Sequence, residues 1–268
     1  MLNVEVILRD FIMIKFSSVN LLRLSMRFLI IIIGALLSFN ALSKKDWYEV
    51  QNYKGFVGVY PIELSIQKYN FGSGVNIKGS YFYNKKMTPI ALFGKKLNDE
   101  LTICEVHGVK DYEDYIVNGV MFNPEKCEFK LLVSDNNLKG SWSSNGKEYD
   151  VKLTATNSWV NGVLTGESLI IPFWGSDAGY SFFGVYKAQK GELIINEINV
   201  IEKKNAKVIQ TINPQSDKCD FGFYMTAIYQ NLEKDNGGSF LNCYSIKGDV
   251  VSELKYSKRE RNYVIVNQ

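Results

Sequence analysis

The sequence predicts an all-β protein built as two antiparallel β-meander or sandwich-like halves, each with a local disulfide. Three observations carry that expectation. From residue 55 onward, short alternating segments rich in Val, Ile, Tyr and Phe are broken roughly every eight to twelve residues by Gly, Asn or Asp, and no stretch sustains a helical period. The chain holds 16 Tyr and 16 Phe against 5 Pro, a balance that suits aromatic-rich strands. Its 4 Cys fall as two spaced pairs, Cys104 with Cys127 and Cys219 with Cys243, each enclosing a turn-rich loop.

The chain opens with residues 1–25, which show no helix cap, no clean period and only scattered charge. Residues 26–43, MRFLIIIIGALLSFNALS, then read as a secretory signal peptide. Arg23 and Arg27 supply the positive flank, residues 28–37 the apolar core, and Ala41 and Ser43 the small residues before a cleavage point. The apolar run falls short of the roughly twenty residues that span a bilayer, so no stable anchor is expected after cleavage. A start at Met26 accounts for the preceding residues; a long leader or a two-part signal anchor is the alternative. The expected organisation is a leader and signal over 1–43, an N-terminal β domain over 44–156 and a C-terminal β domain over 157–268.

In the first domain the alternation predicts strands over 56–60, 63–69, 75–83, 88–93, 101–107, 128–133, 138–143 and 149–154. Their turns have recognisable chemistry: two glycines within 70–74, Asn84-Lys85-Lys86, Asp135-Asn136-Asn137, and Asn145-Gly146, a strong hairpin signal. The polar tract 156–165, with Asn161-Gly162, places the boundary between halves near Asn157. Strands resume over 168–173, 180–186, 193–201, 207–212, 221–229, 240–246 and 263–266, with the clearest hairpin joining 198–201 to 208–212 across 202–206. Residues 249–261 are charged and fit either a short helix or an extended edge. Gly79-Ser-Tyr-Phe-Tyr and Ser181-Phe-Phe-Gly-Val-Tyr are similar strands in the two halves.

Export agrees with four cysteines that all follow the cleavage point. Four cysteines allow three pairings; the two local ones each close a loop within one half and contribute about 3 kcal/mol apiece. Zinc is the rival use, but there is no Cys-x-x-Cys and His107 is the only histidine. Nor does charge point to nucleic acid or an anionic membrane. Of 31 basic and 28 acidic residues, Arg9, Lys15, Arg23, Arg27, Glu5 and Asp10 lie in the leader, so the remainder is balanced to within one charge.

Catalytic motifs are absent from the sequence. Any triad must use His107, which follows an apolar strand and precedes Gly108 as a strand-end surface residue does, and no Gly-x-Ser-x-Gly accompanies it. Asp235-Asn236-Gly237-Gly238-Ser239 and Asp135-Asn136-Asn137 offer oxygen ligands without the acidic alternation of a calcium loop, and turn formation explains both. The binding candidate is Asp111, Tyr112, Glu113, Asp114 and Tyr115: three carboxylates and two tyrosines on the tether between Cys104 and Cys127. Such a loop can grip a basic partner with tyrosines as rigid anchors, or remain a solvated face; paired carboxylates for glycoside hydrolysis are a further reading. No metal, cofactor or catalytic residue is assigned.

Tyr53-Lys-Gly55 with Gly58-x-Tyr-Pro-Ile62, then Val75-x-Ile-x-Gly-Ser-Tyr-Phe-Tyr83 and Ile90-x-Leu-x-Gly94, resembles the opening β-meander of exported Gram-negative proteins. The second half is similar to periplasmic β proteins that include inhibitors of lysozyme-type hydrolases, on Phe183-x-Val-Tyr186, Ile198-Asn-Val-Ile201, Val208-Ile-Gln-Thr-Ile212 and Cys219. Some of those inhibitors serve as immunity proteins against cell-wall-degrading effectors. Residues 231–240 lack the acidic calcium loop of those relatives, and Ser73-Gly74-x-x-Ile77 lacks the tyrosine of their Ser-Gly-x-x-Tyr loop, so no functional residue is carried over. The expected function is binding of a protein partner in the periplasm or outside the cell, including inhibition of or immunity to a cell-wall hydrolase. A periplasmic carrier of a lipid or other apolar ligand is the alternative, and an uncharacterised hydrolase the second.

Overall fold

The computed structural model describes residues 48–70, 75–108, 111, 122–173, 179–189, 191–213, 232–235, 238–244 and 250–267. The first eight strands form one antiparallel sheet in sequence order: β1 (Tyr48–Val57), β2 (Tyr60–Tyr69), β3 (Ile77–Tyr83), β4 (Ile90–Leu97), β5 (Glu100–Glu105), β6 (Phe129–Ser134), β7 (Asn137–Ser144) and β8 (Lys147–Val160). β1 also pairs with β8, from Val50 opposite Trp159 to Val57 opposite Val151, and this closes the sheet into a barrel. Alternation alone fits a meander, a sandwich or a barrel. What selects the barrel is pairing between strands at opposite ends of the segment, which local pattern does not encode.

Strand period explains the two faces. On β8, Val151 and Leu153 turn inward while Glu148, Asp150, Lys152 and Thr154 are exposed, as are Lys130 and Lys139 on β6 and β7. An apolar lumen with a charged wall is the reverse of a barrel embedded in lipid. Eight strands leave a lumen just wide enough for side chains. Here Ile62, Leu64, Ile77, Tyr81, Leu92, Ile103, Phe129, Leu131, Leu138, Val151 and Leu153 fill it, each aliphatic residue contributing about 1.5–3 kcal/mol by leaving water. The small lumen also requires close backbone approaches. A Cβ on Gly94 would stand 2.2 Å from the Thr102 carbonyl oxygen, and one on Gly79 would stand 2.4 Å from that of Ser65.

Strand β8 runs through Asn157, where the sequence places a domain boundary, and turns at Asn161 and Gly162, with φ of 52° and 74°, into the short β9 (Val163–Thr165). Two four-stranded sheets follow. One comprises β10 (Leu169–Pro172), β11 (Tyr180–Gln189), β12 (Glu192–Glu202) and β13 (Lys207–Ile212); the other comprises β14 (Leu232–Asp235), β15 (Gly238–Tyr244), β16 (Val250–Ser257) and β17 (Asn262–Asn267). The charged segment 249–261 is thus mainly strand.

The outer wall of the barrel and the β10–β13 sheet share one core, in which Tyr48, Val50, Phe93 and Trp159 meet Leu169, Ile171, Phe182 and Ile198. The two similar strands noted in the sequence, β3 and β11, meet across this seam. Phe82 packs on Phe183 at 4.9 Å between ring centroids. Reciprocally, the Ser80 hydroxyl donates to the Pro172 carbonyl at 2.8 Å and the Ser181 hydroxyl to that of Met87. At the other margin, the Gln210 amide of β13 donates to the Tyr263 carbonyl at 2.7 Å and accepts from the Tyr263 N–H at 2.9 Å, imitating one rung of a ladder to β17.

Of the two expected disulfides, Cys104–Cys127 is formed, with Cα atoms 4.0 Å apart. Cys219 lies outside the described residues, and the second expected bond lies there with it.

Candidate functional site

One end of the barrel gathers the turns at 58–59 and 145–146 with the loop 84–89 and the segments 106–108 and 122–128. At that end the inward rows of five strands finish in Tyr60, Tyr83, Glu105, Trp142 and Tyr149, so strand period alone brings four aromatic rings and one carboxylate to a common mouth. Tyr60 stands edge-on between Tyr83, at 6.2 Å and 90°, and Tyr149, at 6.1 Å and 89°. Trp142 stacks on Tyr149 at 5.8 Å, and beneath them Tyr81 meets Tyr83 and Phe129, each at 5.4 Å. Gly58, at φ 59°, lets the β1–β2 turn lie against the Tyr149 ring, where a Cβ would stand 2.9 Å from that ring. The turn leaves apolar groups in solvent: Val59 is 80% exposed, Phe56 51% and Tyr60 49%.

Glu105 lies among these rings. Its Oε1 accepts from the Tyr81 hydroxyl and, at 2.7 Å, from Trp142 Nε1–H. Burial pushes the Glu105 carboxyl above the usual range; those two donors pull it down, Glu128 pushes it further up and His107 pulls it down. Burial and the adjacent carboxylate hold the Tyr81 hydroxyl in its neutral form far into alkali.

Next to Glu105, its own backbone N–H donates to Glu128 Oε2 at 2.8 Å, and Glu128 Oε1 lies 3.1 Å from His107 Nε2. Glu128 is buried, whereas the His107 side chain is 60% exposed. Glu105, His107 and Glu128 thereby bring an imidazole nitrogen and two carboxylates within 4.8 Å of one another. The disulfide explains the meeting of the two carboxylates, because each glutamate directly follows one of the joined cysteines. Such a set can accept a cation, or transfer a proton between imidazole and carboxylate.

No protein family matches this chain, and no curated protein or solved structure matches it either. Among the residues named from the sequence, Asp111 is described and half-buried, while Tyr112, Glu113, Asp114 and Tyr115 lie outside the described residues. Their loop leaves and re-enters the barrel at the mouth, between His107 and the turn Pro124–Lys126, which Asn123 caps by accepting from Glu125 N–H at 3.0 Å. His107 is at a strand end and exposed, as expected, but its contact with Glu128 is new. Of the two weighed calcium segments, 135–137 forms the β6–β7 turn, with Asp135 at φ 49°. In the segment 235–239, residues 236 and 237 lie outside the described residues.

The mouth residues Tyr60, Tyr83, Glu105, Glu128, Trp142 and Tyr149 went unnamed as a set because they come from five different strands and one loop end. The one signal available beforehand was the repeated Cys-Glu dipeptide at 104–105 and 127–128.

Proposed function

We propose that the chain is an exported binding protein that takes a protein partner at the barrel mouth, with a basic side chain of that partner facing Glu105. The observation carrying this reading is the half-exposed aromatic rim around a carboxylate, next to the apolar tip of the β1–β2 turn. Aromatic anchors dominate the energy of protein interfaces, and ring faces beside a carboxylate favour a guanidinium or ammonium group. Inhibition of, or immunity to, a periplasmic cell-wall hydrolase is the role that fits export and the absence of a catalytic motif. The carrier alternative has less support, since the lumen that would hold an apolar ligand is occupied by Leu64, Tyr81, Leu92 and Phe129.

The test is a binding assay with the chain beginning at Lys44, presented to cell-wall hydrolases of the same cell and of its competitors. Capture of one such enzyme is expected, with Tyr60→Ala and Trp142→Ala each weakening it by about thirtyfold, as for interface hot spots. Full affinity in both variants removes the mouth from the interface and defeats the reading.

A further inference from the structure

We propose that Glu105, His107 and Glu128 bind a divalent transition-metal ion, zinc the best match, at the base of the loop closed by Cys104–Cys127. Three features of the geometry carry this. The donor set is mixed, one imidazole and two carboxylates within 4.8 Å, all of them ligand types that zinc takes, and three protein ligands leave further coordination positions open. An acidic patch without the imidazole would have no such preference.

Both carboxylates are also held by donors other than the imidazole. Tyr81 and Trp142 fix one oxygen of Glu105 from outside the set, and the backbone N–H of Glu105 fixes one oxygen of Glu128, leaving Glu128 Oε1 directed at the imidazole. Outer partners such as Tyr81 and Trp142 orient the ligands of metal sites. The disulfide adds rigidity by clamping the two cysteines that precede the glutamates.

Charge is the third feature. Two carboxylates, one buried and one half-buried, lie together, and among the described residues no lysine or arginine pairs with either. Burying like charges without a counter-ion is costly, and a divalent ion offsets both at once. The exposed side of His107 gives the ion a path in from solvent.

The inference does not depend on a protein partner, and its test uses none. The chain from Lys44, with the Cys104–Cys127 disulfide intact and freed of metal by a chelator, is titrated with Zn²⁺ by calorimetry and by competition with a chromophoric chelator. One ion per chain is expected, with the affinity lowered at least about tenfold by His107→Ala and by Glu128→Gln. Zn²⁺ should raise the melting temperature of the parent chain and leave that of both variants unchanged. His107 is exposed, so His107→Ala is expected to fold, and its melting temperature without metal checks that it does. Substitution by Co²⁺ should give the visible bands of a low-coordinate nitrogen and oxygen site in the parent alone. No binding in the parent, or binding that both variants retain, overturns the site and leaves His107 and Glu128 as an ion pair only.

Discussion

Lys78 shows how far a single residue can depart from what its neighbours in sequence suggest. It lies on the outward row of β3 with Ser80 and Phe82, the row that enters the seam, and burial pushes its ammonium down to about 8. An unfolded lysine titrates near 10.4. Between about pH 8 and pH 10.4 the unfolded chain holds the extra proton, so this residue's contribution to stability rises with pH across that window. Below it, the folded state carries a charge in a poor environment. Lys78→Met is therefore expected to be more stable than the parent by about 1–2 kcal/mol at pH 7, after discounting for partial exposure. The difference should vanish above about pH 11.5, where both states of the parent are neutral. Urea denaturation at the two pH values measures it, and an equal gap at both would assign the effect to packing. At this scale the sequence was legible for disulfide chemistry at Cys104 and Cys127 but not for burial. Nothing local to Lys78 says that it is half-buried, or that Glu105 and Glu128 meet.

At the scale of elements, strand period and turn chemistry were legible where both agreed. β3, β6, β7 and β13 appear close to their expected bounds, and Asn145-Gly146 makes the expected hairpin turn with φ of 50° and 73°. One misreading has a local cause. FVGVY at 56–60 alternates like a strand, yet Gly58 at φ 59° makes it the end of β1, a turn and the start of β2. Asn161-Gly162, in the polar tract near which the sequence places a boundary, is the same dipeptide that turns β7 into β8, and here it turns β8 into β9. Two glycines separate the physical reasons for needing that residue. Gly94→Ala would force a Cβ against the Thr102 carbonyl oxygen and is expected to cost about 2–3 kcal/mol. Gly146→Ala meets no atom within 4 Å and pays only for its positive φ, about 1 kcal/mol. Chemical denaturation of the two variants should keep that order; the reverse would mean that β4 and β5 separate easily and that the barrel wall is softer than its register implies.

Closure is the property of the whole molecule that the sequence did not disclose. Pairing β1 with β8 is a long-range contact whose return comes only after a large loop has been closed, so alternation within either strand carries no trace of it. The disulfide offsets part of that entropic cost. Replacing Cys104 and Cys127 by Ser together is expected to cost about 3 kcal/mol, as for a loop of this size. The same double variant should lose Zn²⁺ affinity, because Glu105 and Glu128 are then no longer fixed beside each other. Retained affinity in a chain so destabilised would show that β5 and β6 align the carboxylates without the covalent link. Barrel closure also removes the raw edges of the first sheet, which leaves β10, β13, β14 and β17 as the outermost strands of the other two. On β13, Val208 and Ile209 stand exposed, the composition from which edge-to-edge polymerisation starts. The amide of Gln210 already occupies the Tyr263 N–H and carbonyl that a foreign strand would need, so this rung of β17 is closed to pairing with a second chain.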